Sequence, residues 1–480
     1  MAVINGRGTW GVRALVPNVI STSSNWTRPT DWLVLNGATG STEQFTGLLA
    51  ITNDDSNYVA LWVASGGNYT VDWGDGTVTT HASSTTAEKK YDYSTISDAT
   101  LCSRGYKQVV VKVTGTNITQ VHTKYPHTAL SGNTNVLYTW LEYHVNLPNC
   151  TLLGFNRGGT TNGAYQTWVE KVTLNKLGSG FSSFNYQFAT FLSLQEVVIN
   201  ATTTSVTTAT QMFINCYYLK SVPLFNTSNI YTAISMFDGC YSLMTIPSFN
   251  FGSLITAVNM FSNCFSLTSV PDLNFVNATS LNSTFNSCHN LTTIGGLTTT
   301  NCTNFINTFA YCVSLETVPL FDTSKGTDLS SMFNGCVVLT EVPSFSLNTS
   351  VAPNLTSMFY GCTNLKKIPL LDTQKVTNFT NMFYNCLALT ELPALNITAG
   401  TNFTTMLTNT GGIAKAPFVN IRNTFTFAGL MLSKAAIVDI FNGLASGVVS
   451  KTITVSSNPG FASLTSADRL IATGKGWTIA

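Results

Sequence analysis

Eight of the eleven cysteines in this 480-residue chain are Cys216, Cys240, Cys264, Cys288, Cys312, Cys336, Cys362 and Cys386, separated by 24, 24, 24, 24, 24, 26 and 24 residues. A lone cysteine suggests a nucleophilic thiolate, a pair suggests a disulfide, and a cluster suggests a metal site. Strict recurrence points elsewhere, and Cys102, Cys150 and Cys302, outside the series, have no C-x-x-C partner. The five histidines, His81, His122, His127, His144 and His289, form no H-E-x-x-H motif and flank no nucleophile elbow, and no P-loop is present. Acids in the second half fall in different phases, apart from pairs such as Asp322/Asp372 and Glu341/Glu391. The sequence therefore suggests no enzyme and no catalytic residue. It leaves glycan cleavage open, because the two carboxylates of a glycosidase can lie anywhere in a sequence.

The cysteines belong to a longer unit, M-F-x-x-C-x-x-L-x-x-[VI]-P, seen at Ser235–Pro247 as SMFDGCYSLMTIP. The Met-Phe column starts at Met212-Phe213 and ends at Met382-Phe383; the Leu column runs from Leu219 to Leu389. A period in the twenties with several apolar columns indicates a solenoid whose coils each add a short parallel strand and bury their apolar faces on their neighbours. We expect the strand at L-x-x-[VI], ended by the following proline, which has no N–H to give. Asn226-Thr227, Asp322-Thr323 and Asp372-Thr373 read as outer turns, and the Met-Phe segment as a short helical turn on the far side. The cysteine slot holds Phe191 one coil earlier and Thr410 one coil later, which is how a buried filler position behaves. Stacked equivalent residues point the same way, which disfavours disulfides between them. Leu141–Phe155 and Trp168–Leu177 read as weaker early coils. In the tail, Ser433 is placed to cap a helix over Ala435–Leu444; a strand at Thr452–Ser456, a helix from Ser466 and a last strand at Trp477 complete a cap.

The repeat resembles the BspA-like leucine-rich repeats, in particular the MFxxCxxL surface-protein family found in bacterial surface proteins and tailed-phage virion proteins. The resemblance covers Phe188–Phe418 and implies a right-handed solenoid used in display or adhesion, with no catalytic residues.

Before residue 130 the columns vanish. Tyr58–Val63, Tyr69–Trp73, Tyr91–Tyr93 and Gln108–Thr114 concentrate β-formers between turn signals, as in a β-sandwich. TVDWGDGTV (Thr70–Val78), followed by KKYDY and RGYKQVVVKVT, resembles the PKD-like immunoglobulin fold, with Asp75-Gly76 supplying a hairpin turn. Asp72 and Asp75, with Asn53-Asp54-Asp55 nearby in sequence, read either as turn residues bonded to backbone or as calcium ligands; no other cofactor or metal is indicated. Trp10, Trp26 and Trp32 lie in a leading arm and either cover the sandwich of their own chain or anchor it to a partner. The expected organisation is an arm at 1–40, a sandwich at 41–130, a mostly β leucine-rich-repeat solenoid at 131–430 and a cap at 431–480.

Charged residues make up 9% of the chain, against about 25% in typical domains, and the net charge is +1. Scattered and balanced lysines and arginines disfavour a nucleic-acid partner. No apolar run approaches the roughly 18 residues of a membrane span. Met1–Arg13 lacks the pattern of a secretory signal, so we expect synthesis in a cytoplasm and residence on a virion; a bacterial or protist cell surface is the alternative. An intracellular scaffold would suit reduced cysteines but leaves the PKD-like segment unexplained. The residue after each ladder cysteine offers a recognition stripe, Tyr217, Tyr241, Phe265 and His289, of a kind that sugar rings and protein loops both bind. The competing reading packs these rings against the next coil. The sequence thus points to a non-enzymatic fibre, appendage or decoration protein of a tailed phage that binds a host-surface protein or glycan. Other virion proteins, or further copies of the chain, would meet its N-terminal region.

Overall fold

The computed structural model describes residues 26–35, 42–53, 57–123, 127–130, 139–155, 168–345, 347 and 351–480. Trp10, Asp54 and Asp55 lie outside them. The N-terminal strands are β1 (Gln44–Ile51), β2 (Tyr58–Ala64), β3 (Tyr69–Asp72), β4 (Val78–His81), β5 (Thr85–Lys90), β6 (Lys107–Gly115), β7 (Gln120–His122), β8 (Trp140–Asn146) and β9 (Leu152–Gly154). With β10 (Lys171–Lys176) and β11 (Glu196–Ile199) they form a seven-stranded sheet, β11-β10-β8-β1-β6-β3-β4, and a four-stranded sheet, β5-β2-β7-β9. Both sheets feed one apolar core, in which Phe45 and Leu49 of β1 meet Leu61, Val71 and Val111. Tyr91–Tyr93 is not the expected strand: β5 ends at Lys90, and Asp92 caps a single 3-10 turn over Tyr93–Thr95.

The larger sheet has no break where the solenoid begins. Strand β8 pairs antiparallel with β1 on one side and parallel with β10 on the other, and β10 pairs parallel with β11. The early coils expected around Leu141 and Trp168 are therefore hydrogen-bonded to the N-terminal sheet. An aromatic chain follows the same route, from Phe45 through Tyr143 and Phe155 to Phe188.

From Ser183 onward the backbone follows a different rule. In the coil that contains Cys216, the N–H groups of Ala209, Gln211, Phe213 and Asn215 donate to the next coil's carbonyls of Thr232, Ile234, Met236 and Asp238 at 2.8–2.9 Å. The alternate N–H groups of Met212, Ile214 and Cys216 fold back onto Ala209, Gln211 and Phe213. This alternation requires two left-handed residues per coil, four apart: Gln211 (φ 54°) and Asn215 (φ 58°), then Ser235 and Gly239, Asn259 and Asn263, and onward to Asn381 and Asn385. Hence the Met-Phe segment is a run of turns, not the expected helical turn, since an α-helix has no place for positive φ. Glycine and short polar side chains tolerate that conformation best, which explains the Asn or Gly that usually precedes the cysteine.

At the expected strand, β12 (Ser269–Val270) pairs with β14 (Thr293–Ile294), where Gly295 stands in the proline position and its N–H donates to the Val270 carbonyl; among the described residues no other two coils with a ladder cysteine form paired strands there, and β13 (Leu273–Asn274) and β15 (Leu297–Thr298) pair just after. Elsewhere the expected strand shortens to single cross-coil bonds such as Met244 N–H to Lys220 at 3.0 Å, because proline removes the next donor. The longest continuous ladder lies ahead of Met-Phe and joins Ser183, Thr208, Thr232, Thr256, Ser280, Asn304, Asp328 and Asn354. Asn226, Asp322 and Asp372 form the expected outer turns by accepting the N–H two residues on. Thr227 and Thr373 point inward and donate to the next coil's carbonyl at 2.8 Å.

Inside, the phenylalanines of the Met-Phe column stack from Phe188 to Phe383, with centroid spacings from 5.1 to 5.8 Å. At the far end β16 (Phe425–Thr426), α1 (Lys434–Gly443), β17 (Lys451–Thr454), α2 (Ser466–Thr473) and β18 (Trp477–Ile479) close the core. Ser433 caps α1 by accepting the Ala436 N–H. Among the described residues no helix is long and apolar enough to cross a membrane.

Candidate recognition surface

The cysteines occupy the corner of each coil, immediately after the second left-handed residue. All eleven in the chain are free and buried. Each ladder thiol donates to the carbonyl of the preceding coil's Phe column: Cys240 to Phe213, Cys264 to Phe237 and Cys288 to Phe261, at 3.1–3.2 Å. That carbonyl also accepts the N–H of its own coil's cysteine, for example Cys240 N–H to Phe237 at 3.0 Å. Burial pushes the Cys312 and Cys386 thiols up to about 12 and raises the other six ladder thiols, which holds the rungs in the neutral S–H form. Thiolate is the reactive and metal-binding form of cysteine, and among the described residues no group of His, Cys, Asp and Glu is arranged to hold a metal. The slot is more than apolar filler: it supplies one hydrogen-bond donor per coil.

The corner turns outward at the next residue. Tyr217, Tyr241, Phe265 and His289 form one stack with centroid spacings of 4.6, 4.7 and 4.8 Å and interplanar angles of 2°, 11° and 5°. The first three are half-buried and His289 is exposed. The rings cover one another's faces and turn their edges to solvent, a geometry that one-per-coil spacing does not disclose. Desolvation raises the Tyr241 phenol and lowers the His289 imidazole from their ordinary values.

Trp26 and Trp32 are placed by their own chain. Trp32 is 2% exposed and packs with Leu35, Leu48, Leu141 and Tyr106 on the outer face of the seven-stranded sheet. Its indole N–H donates to Tyr106 Oη at 3.2 Å, and the Arg28 and Arg104 guanidinium groups lie 5.6 and 5.5 Å from its ring centre. Of the two readings of the arm, covering its own sheet describes these residues, and a side chain this deeply buried offers nothing to a partner. Two acids hold the segment down: Glu142 Oε2 pairs with Arg28 Nε at 2.6 Å, and Glu170 accepts the Trp26 indole N–H at 3.0 Å and binds Arg104. Burial works to raise the Glu142 carboxyl, but hydrogen bonds from His144 and Arg28 outweigh it and leave the group below the usual range.

Asp72 and Asp75 act as turn residues. Asp72 accepts the Gly74 N–H and Asp75 the Thr77 N–H, both at 3.0 Å, while Lys89 Nζ sits 2.6 Å from Asp75 Oδ2. Asp75 is thus already paired with a cation of its own chain. Gly74 is fixed by crowding as well as by its φ of +76°, since a Cβ there would lie 2.5 Å from the Val110 carbonyl oxygen.

Three tyrosines on the same flank escape the sequence reading because they leave the column that begins at Tyr217. Tyr360 and Tyr384, two residues before their cysteines, stack at 4.8 Å, and Tyr311, one residue before Cys312, is 50% exposed. The available signal was aromatic content in neighbouring columns taken together.

Residues 182–295 and 279–394 match a family model described as Mycoplasma protein of unknown function, DUF285. No curated protein matches the chain. Among solved structures, a leucine-rich repeat protein from Bacteroides ovatus ATCC 8483 is 16% identical, with 72% of this chain and 82% of that one covered and a TM-score of 0.31. One from Eubacterium ventriosum ATCC 27560 is 14% identical over 74% and 90%, with a TM-score of 0.34. The matched residues lie within the stacked coils, which form a leucine-rich-repeat-like solenoid.

Proposed function

We propose that the chain is a non-enzymatic recognition protein of a tailed-phage virion, presenting its solenoid to a host surface and joining the particle through its N-terminal region. The observation that carries this reading is the flank of stacked rings from Tyr217 to His289, held on a coil ladder with cross-coil bonds at alternate residues. Rings fixed in this way lose little freedom on contact, which favours binding. The β3–β4 hairpin around Trp73–Gly76, with the two sheets that share a core, supports a PKD-like module beside the repeats. A surface with few charges keeps adhesion largely independent of ionic strength.

The experiment is mass spectrometry of purified particles, joined to adsorption assays in which the recombinant chain competes with whole particles for host cells. The chain present in particles and blocking adsorption is the expected result. A native leader peptide, with the chain found on the producing cell, would replace the virion reading with that of a cell-surface adhesin. Removal of residues 1–25, which leaves Trp26 and Trp32 on their sheet, is expected to abolish particle incorporation, and retained incorporation would refute docking through that segment.

A further inference from the structure

Recognition on this flank extends beyond the four-ring stack. In eight consecutive coils, the five positions centred on the cysteine contain no lysine or arginine and one carboxylate, Asp238. Seven of these coils place an aromatic ring there: Tyr217, Tyr241, Phe265, His289, Tyr311, Tyr360 and Tyr384. The coil without one has Gly335 instead, and the Tyr311 ring lies against that glycine, with Cδ1 2.9 Å from where a Cβ would stand. Gly335 Cα in turn lies 3.8 Å from the Cβ position of Gly361, so one coil without a ring separates the exposed Tyr311 from the stacked Tyr360–Tyr384 pair. The result is a row of ring-bearing coils about 34 Å long at a coil spacing of about 4.8 Å, interrupted at Gly335, where the Tyr311 ring covers the glycine.

The chemistry of the track selects among occupants. A charged polymer or an ordinary charged protein surface would find almost nothing to pair with, and burying its charges without partners would cost binding energy. The same coils carry neutral hydroxyl and amide groups near the rings, Ser242, Asn290, Ser314, Asn334 and Asn364, none of them buried. Stacked-ring edges, the half-exposed Tyr311 ring and neutral donors and acceptors together complement a ligand that has C–H faces and hydroxyl edges and carries no charge. We propose that this flank binds a linear neutral polysaccharide, with a sugar ring seated on Tyr311 above Gly335 and the chain continuing toward Tyr360 and Tyr384.

This inference rests on the recognition reading above and names the ligand of that same flank. The test uses the full chain with cellohexaose, chitohexaose and a linear dextran as neutral probes and heparin as a polyanion, with binding read by calorimetry at low and high salt. Binding of at least one neutral probe is expected, unchanged by salt, weakened at least tenfold by Tyr311→Ala and by Gly335→Val, and unaffected by Tyr231→Ala, an exposed tyrosine away from the track. Thermal melts matching the parent would show that Tyr311→Ala still folds. Heparin binding lost at high salt, or neutral binding untouched by Tyr311→Ala, overturns the proposal. Cell adsorption separates the two levels. Adsorption that needs Tyr311 but survives periodate treatment of the cells points to a protein receptor and sinks the polysaccharide alone, whereas no adsorption at all sinks the recognition reading.

Discussion

The thiol ladder makes a prediction that separates two accounts of the same cysteine. If Cys264 is only a small apolar filler, an apolar replacement of similar size should serve; if its S–H is needed by the Phe237 carbonyl at 3.2 Å, it should not. Valine and threonine have nearly the same shape and differ in one hydroxyl, so Cys264→Val and Cys264→Thr form the deciding pair. The Phe237 carbonyl keeps its bond from Cys240 N–H in every variant, so losing the second donor costs about 1 kcal/mol, the worth of one net hydrogen bond. A buried hydroxyl without a partner would cost threonine about 1–3 kcal/mol relative to valine under the filler account. Under the donor account threonine is at least as stable as valine, because its hydroxyl replaces the thiol; Thr410, 1% exposed in the same slot, bonds its Oγ1 instead to the Leu407 carbonyl of its own coil at 2.6 Å. Cys264→Ala loses both the donor and the packing of one heavy atom, for about 2 kcal/mol in total. Guanidinium denaturation followed by circular dichroism, with amide exchange at Phe237 and Phe261 as the local reading, measures these differences. A Cys264→Val protein more stable than Cys264→Thr by 1 kcal/mol or more would refute the donor account.

Phe261→Ala removes a fully buried ring stacked at 5.4 Å on both Phe237 and Phe285 and should cost about 3–5 kcal/mol. Because each coil contacts only its neighbours, we expect its denaturation curve to split into two transitions, and one unchanged transition would contradict the stacked core. Asn385→Val places a β-branched residue at φ 59° and should cost about 1–2 kcal/mol, whereas Asn385→Gly should be close to neutral; equal melting of the two would argue against the left-handed position. The Glu142–Arg28 pair predicts a pH dependence of fixed sign. The folded-state value of Glu142 is depressed, so its stabilising contribution is present above the ordinary glutamate range and is lost as pH falls through the lowered value. Trp26 and Trp32 fluorescence should shift on acidification in the parent and much less in Glu142→Gln, and identical titrations would dismiss the latch.

Repetition made the solenoid legible, because columns such as Met212, Phe213, Cys216 and Leu219 recur together and must share one environment. Their three- and four-residue spacing imitates a helix, which misdirected the local reading. Turns with a left-handed residue every fourth position return side chains to one side at nearly the same interval, and the distinguishing mark is the Asn or Gly before the cysteine. Continuity between the N-terminal sheet and the repeats was not legible, since β1 and β8 are joined by a register that nothing local encodes. For the surface, one-per-coil spacing placed Tyr217, Tyr241, Phe265 and His289 in a row, but the plane of each ring depends on the neighbouring coil. Trp32 carries no sign of its partner in its own surroundings either, because Leu48, Tyr106 and Leu141 are distant in sequence.

The alternate-residue bonding of the turns gives this flank an electrical direction. In the coils of Cys216, Cys264, Cys288, Cys312, Cys336 and Cys386, four alternate N–H groups ahead of the corner point to the next coil, so their peptide dipoles add along the axis. The ninth coil keeps the same backbone, with Thr405 at φ 54° and Asn409 at φ 60°, yet the N–H groups of Phe403, Thr405, Leu407 and Asn409 have no acceptor among the described residues. Alternate amides left open along one edge turn the positive ends of their dipoles the same way. A chain almost without net charge thus carries a polarity built from backbone alone, set at the end of the array away from its N-terminal sheets, which no substitution of its lysines or arginines would remove.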